Sequence, residues 1–398
     1  MSSTWQAFSS APHRMFLAGG AAQLLLTIGL WLTELAARTS GVSLPWKLPA
    51  AAAHAFMMIY GVFPYFVLGF LFTVYPRWLH TPPIERRHYL RIFALLNSGW
   101  LLLYLGFFVA RVLAALAVLL LLLGCLHALT VLLNVYGQAR ERGVHERLLN
   151  FALVFAVLGH AAFLYGIVRN DIVGYLLARE LGLWLFLVPV VFTVSHRMIP
   201  FFSSSVLMNY VMVRPAWGPP LMLLCVAGHA VCELAGVPQW RWIADFPLAI
   251  TALHHSYVWK FRRSFHSRML AMLHIAFLWL GVAMLLYALQ SLLWLATGSD
   301  WMGRAPLHAL GIGFLASMVV AMGSRVTLGH AGLSMVADRL TWFALLGLSI
   351  TAVLRIAAEF SLPWANTLNI AAGGAWLLCI IPWVLKYAPI YLLPRPNA

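Results

Sequence analysis

Long apolar runs separated by short polar punctuation make up nearly all of the chain, and nowhere do hydrophobic and polar residues alternate for long. Windows of about 20 apolar residues, the length a helix needs to cross the hydrocarbon core, fall at 16–35, 51–75, 92–109, 112–136, 148–168 and 173–194. Six more fall at 216–235, 242–258, 269–293, 307–322, 340–360 and 368–387. The runs at 242 and 307 are the weakest, being short and flanked by polar residues. Continuous apolar runs suit helices, whereas a membrane barrel strand would show a two-residue period. The pattern therefore predicts an all-α polytopic bundle of about twelve transmembrane helices. Eleven spans follow the first, so that segment is expected to be a span and not a cleaved leader. Loops are short, the longest near 76–91 and 197–214, and one integral membrane domain is expected over 1–398.

Composition sharpens this expectation. Of 398 residues, 63% are hydrophobic and 9% are charged, where a soluble chain carries roughly a quarter charged. The mean hydropathy is +0.87. Polar residues are too scarce to coat a water-facing surface, so lipid must cover the outside. Charge then orients the spans. With the N-terminus inside, 18 of the 26 Lys and Arg fall in inner loops, from Arg14 to Arg395, and six fall outside: Arg38, Lys47, Arg111, Arg169, Arg241 and Arg304. Only Arg179 and Arg355 lie within spans. This bias predicts both termini in the cytoplasm. The net charge of +15 accordingly speaks of insertion and anionic headgroups, not of nucleic acid. The four cysteines (Cys125, Cys225, Cys232, Cys379) sit inside apolar spans. Cys225 and Cys232, two helical turns apart, are too distant to bridge. A faint similarity links 69–77 with 188–197, each reading Phe-Thr-Val before a basic residue.

Histidine carries the candidate chemistry. There are 15, and at least six lie in or at the ends of spans, where an imidazole is costly and usually functional. The predicted topology puts His54, His308, His160 and His229 in the outer half and His254, His255, His274 and His330 toward the inside. His54 and His308 each open a helix with a glycine further along the same face, Gly61 and Gly311. Glycine leaves the flat surface that a porphyrin needs beside an axial histidine, and two such helices can ligate one iron. The competing reading is a histidine hydrogen-bonded to a neighbouring helix. Cys225, His229 and Cys232 form a stripe soft enough for copper(I), or simply a small-residue packing face. Arg355 and Glu359, four apart, are expected to satisfy each other. Arg179 and Glu180 are adjacent, so each is expected to find a partner elsewhere, and Glu180 is a candidate proton relay. No Ser-His-Asp arrangement, carboxylate pair or phosphate loop is visible.

Five stretches resemble the NnrS family, bacterial inner-membrane proteins associated with nitric oxide stress and containing haem and copper. His54-Ala-Phe-Met-Met-Ile-Tyr-Gly61 is similar to the family's His-Ala-His-Glu-Met-Leu-Phe-Gly. Gly69-Phe-Leu-Phe-Thr-Val-Tyr-Pro-Arg-Trp78 resembles the Gly-Phe-Leu-Leu-Thr-Ala-x-Pro-x-Trp that follows it. Arg197-Met-Ile-Pro-Phe-Phe202 resembles Arg-x-Ile-Pro-x-Phe, and Leu273-His274-Ile-Ala-Phe-Leu-Trp-Leu resembles Leu-His-x-Gly-Tyr-x-Trp-Leu. The strongest is His308-Ala-Leu through Met322-Gly-Ser-Arg325-Val-Thr-Leu-Gly-His330-Ala-Gly332, similar to His-Ala-Leu…Met-x-x-Arg-Ala-x-Leu-Gly-His-Thr-Gly. Phe56 and Met57 stand where the family pattern has histidine and glutamate, which removes two candidate ligands and puts copper in doubt. His54-x-x-x-Met-Ile also resembles the second span of haem–copper oxidases, whose adjacent histidine pair and tenth-span His-x-His are not reproduced.

The resemblance implies a multi-pass protein of the bacterial inner membrane that binds b-type haem, with copper as a further metal, and meets nitric oxide as a gaseous ligand. Iron is expected at His54 and His308, and a second site at His274 and His330. Arg197 and Arg325 are expected to pair with haem propionates or another anion, or else only to anchor the cytoplasmic face. Two rival readings differ in class. A cofactor-free proton-coupled transporter predicts no visible absorbance, and a quinol-linked redox enzyme requires an electron-donor site.

Overall fold

The computed structural model describes residues 3–393, and every regular element among them is helical. A short helix, Ser3–Phe8, precedes twelve longer ones. In the first half these are α1 (Pro12–Thr39), α2 (Ala50–Trp78), α3 (Arg86–Gly106), α4 (Arg111–Gln138), α5 (Val144–Arg169) and α6 (Ile172–Ser204). The second half holds α7 (Gly218–Leu234), α8 (Trp242–Val258), α9 (Arg268–Thr297), α10 (Ala305–Ala331), α11 (Arg339–Phe360) and α12 (Ala365–Leu392). Among the described residues, ten of the twelve are long and apolar enough to cross a membrane. The exceptions, α7 and α8, have 17 residues each, or ~26 Å at 1.5 Å per residue, slightly short of a ~30 Å hydrocarbon core. The weak run at 307–322 lies within a 27-residue helix that passes the same criterion. Arg395, counted in the charge bias, lies outside the described residues.

Local chemistry sets the helix ends. The Asp171 carboxylate accepts the Val173 N–H at 2.9 Å to start α6, and Asp338 accepts the Thr341 N–H at 2.9 Å to start α11, satisfying donors that a first turn leaves open. Gly298 and Gly332 close α9 and α10 at φ +73° and +70°, a conformation that glycine adopts without penalty. Apolar side chains such as Leu101, Leu105 and Val112 are exposed by 67, 59 and 69%, as expected of surfaces that lipid covers.

Three of the long helices widen into π-helix part-way along: α2 at Met57–Val62, α6 at Leu181–Leu187 and α10 at Ala309–Ala316. Each π segment contains a glycine (Gly61, Gly182, Gly311); the second and third begin directly after Glu180 and His308, and the first begins three residues after His54. Such segments shift the backbone hydrogen-bond ladder by one residue and concentrate at functional positions.

The chain divides into two compact units. The first comprises the start of α1 to Thr27, Ser43–Val190, and the end of α12 from Lys386. In it α3 packs on α4, α4 on α5, and α5 on the first part of α6. At its core Tyr60 donates from its hydroxyl to the Ala178 carbonyl at 2.7 Å, its ring lying 4.8 Å from Phe56 and 4.5 Å from His160. Gly159 and Gly182 face this tyrosine so closely that a Cβ on either would collide with its hydroxyl. Arg14 ties the ends of the chain together: it donates to the carbonyls of Tyr391 and Ile390 at 3.0 Å each, and also to that of Leu393. The second unit comprises Ile28–Val42 and Val191–Leu385. In it α7 packs on α8, α8 on α9, α9 on α10, and α10 on α11.

Candidate functional site

His308 occupies the first turn of α10, directly before its π segment. Its Nδ1 lies 2.9 Å from the Arg304 carbonyl. A carbonyl can only accept, so Nδ1 carries the proton and Nε2 presents its lone pair. Arg355 on α11 places Nη2 at 3.4 Å from both ring nitrogens. An atom equidistant from the two and lying in the ring plane would collide with the carbon between them, so the guanidinium sits over the face. The in-plane direction of Nε2 is therefore clear of Arg355. Arg355 in turn donates to Glu359 at 3.1 Å, the pair expected from their spacing. Beyond the backbone of its own helix and its two chain neighbours, nothing lies within 4 Å of a Cβ placed on Gly311. This combination suits a metal-ligating imidazole, one nitrogen fixed by a backbone acceptor and the other aimed outward.

His54 is half-buried near the start of α2, in the first unit, while His308 belongs to the second. Gly61 does not provide the bare face expected of it. The Trp100 indole fills that space, 3.0 Å from where a Cβ would stand. Phe56 and Met57 are buried, and Phe56 stacks on Phe163 with centroids 3.9 Å apart and planes at 20°. Where the family pattern has a histidine, this chain has a packing ring. Arg179 and Glu180 also differ from expectation: they bond each other at 2.6 Å. Adjacent side chains diverge on a helix, but the arginine is long enough to fold back.

The inner candidates all fall in the second unit. His274 is nearly two turns into α9, 1% exposed, with Nε2 3.1 Å from the Ser203 hydroxyl. Arg325 on α10 is 6% exposed, and its Cζ lies 3.9 Å above the centre of the Phe202 ring. His330 lies in the last turn of α10, not beyond it, because the helix continues to Ala331. Arg197 belongs to α6, which stays helical to Ser204 and shortens the expected 197–214 loop. The Arg197 carbonyl accepts from Arg214 at 2.9 Å.

A family model, that of the NnrS protein, matches residues 7–395, nearly the whole chain. The chain belongs to the NnrS family. No curated protein matches it. Membership supports a membrane protein associated with nitric oxide stress, and the many apolar helices make this NnrS chain multi-pass.

Several polar contacts of this NnrS protein were not legible in its sequence. His229 on α7 bonds through Nδ1 to Asp245 Oδ1 on α8 at 2.6 Å, with side chains 1% and 0% exposed. Tyr287 meets that imidazole edge-on at 4.9 Å, and Arg241 lies over the same tyrosine at 5.3 Å. The aspartate gives His229 a carboxylate anchor, but Cys225 and Cys232 are free thiols. Among the described residues no three His, Cys, Asp or Glu side chains gather in a way that could hold a metal ion, so the copper stripe gains no support from the fold. His255 is buried and His254 exposed, the divergence expected of an adjacent pair. His255 lies among Trp259 (5.1 Å), Trp217 (5.4 Å) and His196 (5.4 Å). His88 and His127 meet with Nδ1 and Nε2 3.2 Å apart. A loop-connected partner such as Trp217, or a helix-to-helix pair such as His88–His127, leaves no spacing signature for sequence reasoning to find.

Proposed function

We propose that this protein is a haem-binding NnrS protein of the bacterial cytoplasmic membrane that acts in tolerance of nitric oxide and related nitrogen oxides, with His308 as an iron ligand. The supporting observation is the state of His308: Nδ1 is committed to the Arg304 carbonyl, and Nε2 is aimed clear of the stacked Arg355. Haem iron, when bound, supplies direct coordination of nitric oxide and one-electron chemistry. The chain's own contribution is orientation and charge. The Arg304 carbonyl fixes the tautomer and makes the imidazole a better donor. Arg355, balanced by Glu359, lies over the ring face and so leaves the in-plane Nε2 lone pair to a metal.

His54 remains a further candidate haem ligand, on its family motif and its place ahead of a π segment. Visible spectra of the purified protein, expressed with ample haem, test both residues. A Soret band should appear in the wild type, be lost or shifted in His308→Ala, and change in form in His54→Ala, while all three proteins insert equally. A colourless wild type would overturn the proposal and favour the cofactor-free transporter.

A further inference from the structure

Arg325 is a buried cation without a counter-charge. It is 6% exposed, and its Nε–H is buried with no hydrogen-bond partner. Among the described residues it makes no ion pair; its one polar contact is the Phe202 ring at 3.9 Å. The acids of the second unit are committed elsewhere. Glu34 pairs with Arg38, Glu233 with Arg241, Asp245 with His229, and Glu359 with Arg355. Asp300 accepts from Gln290 and two backbone N–H groups, and Asp338 caps α11. Buried charges in proteins are as a rule paired, because an isolated one forfeits its hydration for nothing.

We infer that Arg325 is the anchor of a binding site for a planar monovalent oxyanion, such as nitrite, nitrate or a carboxylate group. The charge follows from balance, since one buried guanidinium calls for one negative charge. The shape follows from access. Phe202 covers a face of the guanidinium, so the ligand must approach in its plane along the N–H edge, where the fork of donors matches two oxygens held in a plane. The buried Nε–H is part of that edge. Ser203, beside Phe202, holds its hydroxyl 3.1 Å from His274 Nε2, so a polar pair sits next to the aromatic shelf. Two sources carry this chemistry: a free small oxyanion, and a carboxylate of a larger bound molecule such as a porphyrin. The inference does not depend on iron binding at His308.

The test uses the full-length protein in detergent, prepared with and without added haem during expression. Nitrite, nitrate, acetate and chloride are titrated at constant ionic strength while thermal unfolding and heats of binding are followed. A saturable rise in Tm of a few degrees is expected with the planar oxyanions and not with chloride. In Arg325→Met the response should vanish, and Arg325→Lys should bind at least tenfold more weakly because it lacks the fork. Arg325→Met should also be no less stable than wild type without added anion, since it removes an uncompensated buried charge. Oxyanion binding by the haem-free protein that is abolished after haem loading would identify the occupant as a porphyrin carboxylate. Binding that persists in both preparations would identify a free anion. Failure of all planar oxyanions to bind haem-free wild type, or equal responses in Arg325→Met, would overturn the site. A colourless protein that still binds nitrite would refute only the haem proposal.

Discussion

Alanine at Gly159 should destabilise the first unit, and phenylalanine at Tyr60 should relieve part of that loss. Gly159 to Ala normally helps a helix by ~0.5–1 kcal/mol, through lower backbone entropy in the unfolded chain. Here the new methyl would run into the Tyr60 hydroxyl, with the ring carbon that bears it 2.7 Å away. The tyrosine cannot swing aside, being held by Gly182, Phe56 and His160. Overpacking of this kind costs ~1–3 kcal/mol, so a net loss of ~1–2 kcal/mol is expected. Tyr60→Phe alone removes one buried hydrogen bond, worth ~0.5–1.5 kcal/mol. The lower end is expected because the Ala178 carbonyl also accepts from the Leu181 N–H. In the double variant the oxygen is gone but the ring remains, so the combined loss should fall short of the sum by ~1 kcal/mol. Equilibrium unfolding in mixed micelles, followed by tryptophan fluorescence, measures all four proteins. Additive effects, or a Gly159→Ala protein more stable than wild type, would show that Tyr60 is not wedged as described.

Other outcomes follow from contacts elsewhere in the chain. Asp245→Ala should cost ~3 kcal/mol by stranding the buried His229 N–H, and Asp245→Asn should recover most of it because its amide oxygen can still accept. Equal melting losses in the two variants would show that the bond to His229 contributes little. Arg14→Met should lower stability by ~2–4 kcal/mol through loss of its charged hydrogen bonds to the carbonyls of Ile390, Tyr391 and Leu393. Arg14→Lys should restore little, which a thermal melt in detergent would check. Reporter fusions at Pro45, Asn170 and Asp300 should report outside, and those at Glu85, Gly143 and Phe265 inside. Reversal at more than one position would refute the orientation inferred from the basic residues.

The helices were legible because lipid imposes one rule on every residue it touches, and Leu101 or Val112 obeys it without knowledge of any neighbour. Even α8, flagged as weak, begins and ends at the residues its hydropathy indicated. The three π segments were hidden, since shifting a backbone ladder by one residue changes no side chain and leaves no mark on hydropathy. Gly61 shows why the candidate site was harder. A glycine on a helix face can be vacant or can seat a ring from elsewhere, and only the fold reveals that Trp100 is there. The Arg355–Glu359 pair was foreseeable from its spacing, but its position over His308 depends on how α11 meets α10. Likewise His229 could be singled out as a polar residue in an apolar run, while its anchor, Asp245, sits on the next helix. Family motifs led to Arg325; its lack of a counter-charge emerged only when every acid of the second unit could be followed to its partner.

The grip of Arg14 on the last helix also bears on how the protein is made. The carbonyls it holds belong to residues 390, 391 and 393, which a ribosome supplies 376 to 379 residues after Arg14 itself. The first span must therefore wait in the bilayer through the synthesis of the intervening spans before Arg14 finds its partners. Closure of the first unit, which takes in residues from Lys386 onward, therefore follows synthesis of the second, although most of the first is made before it.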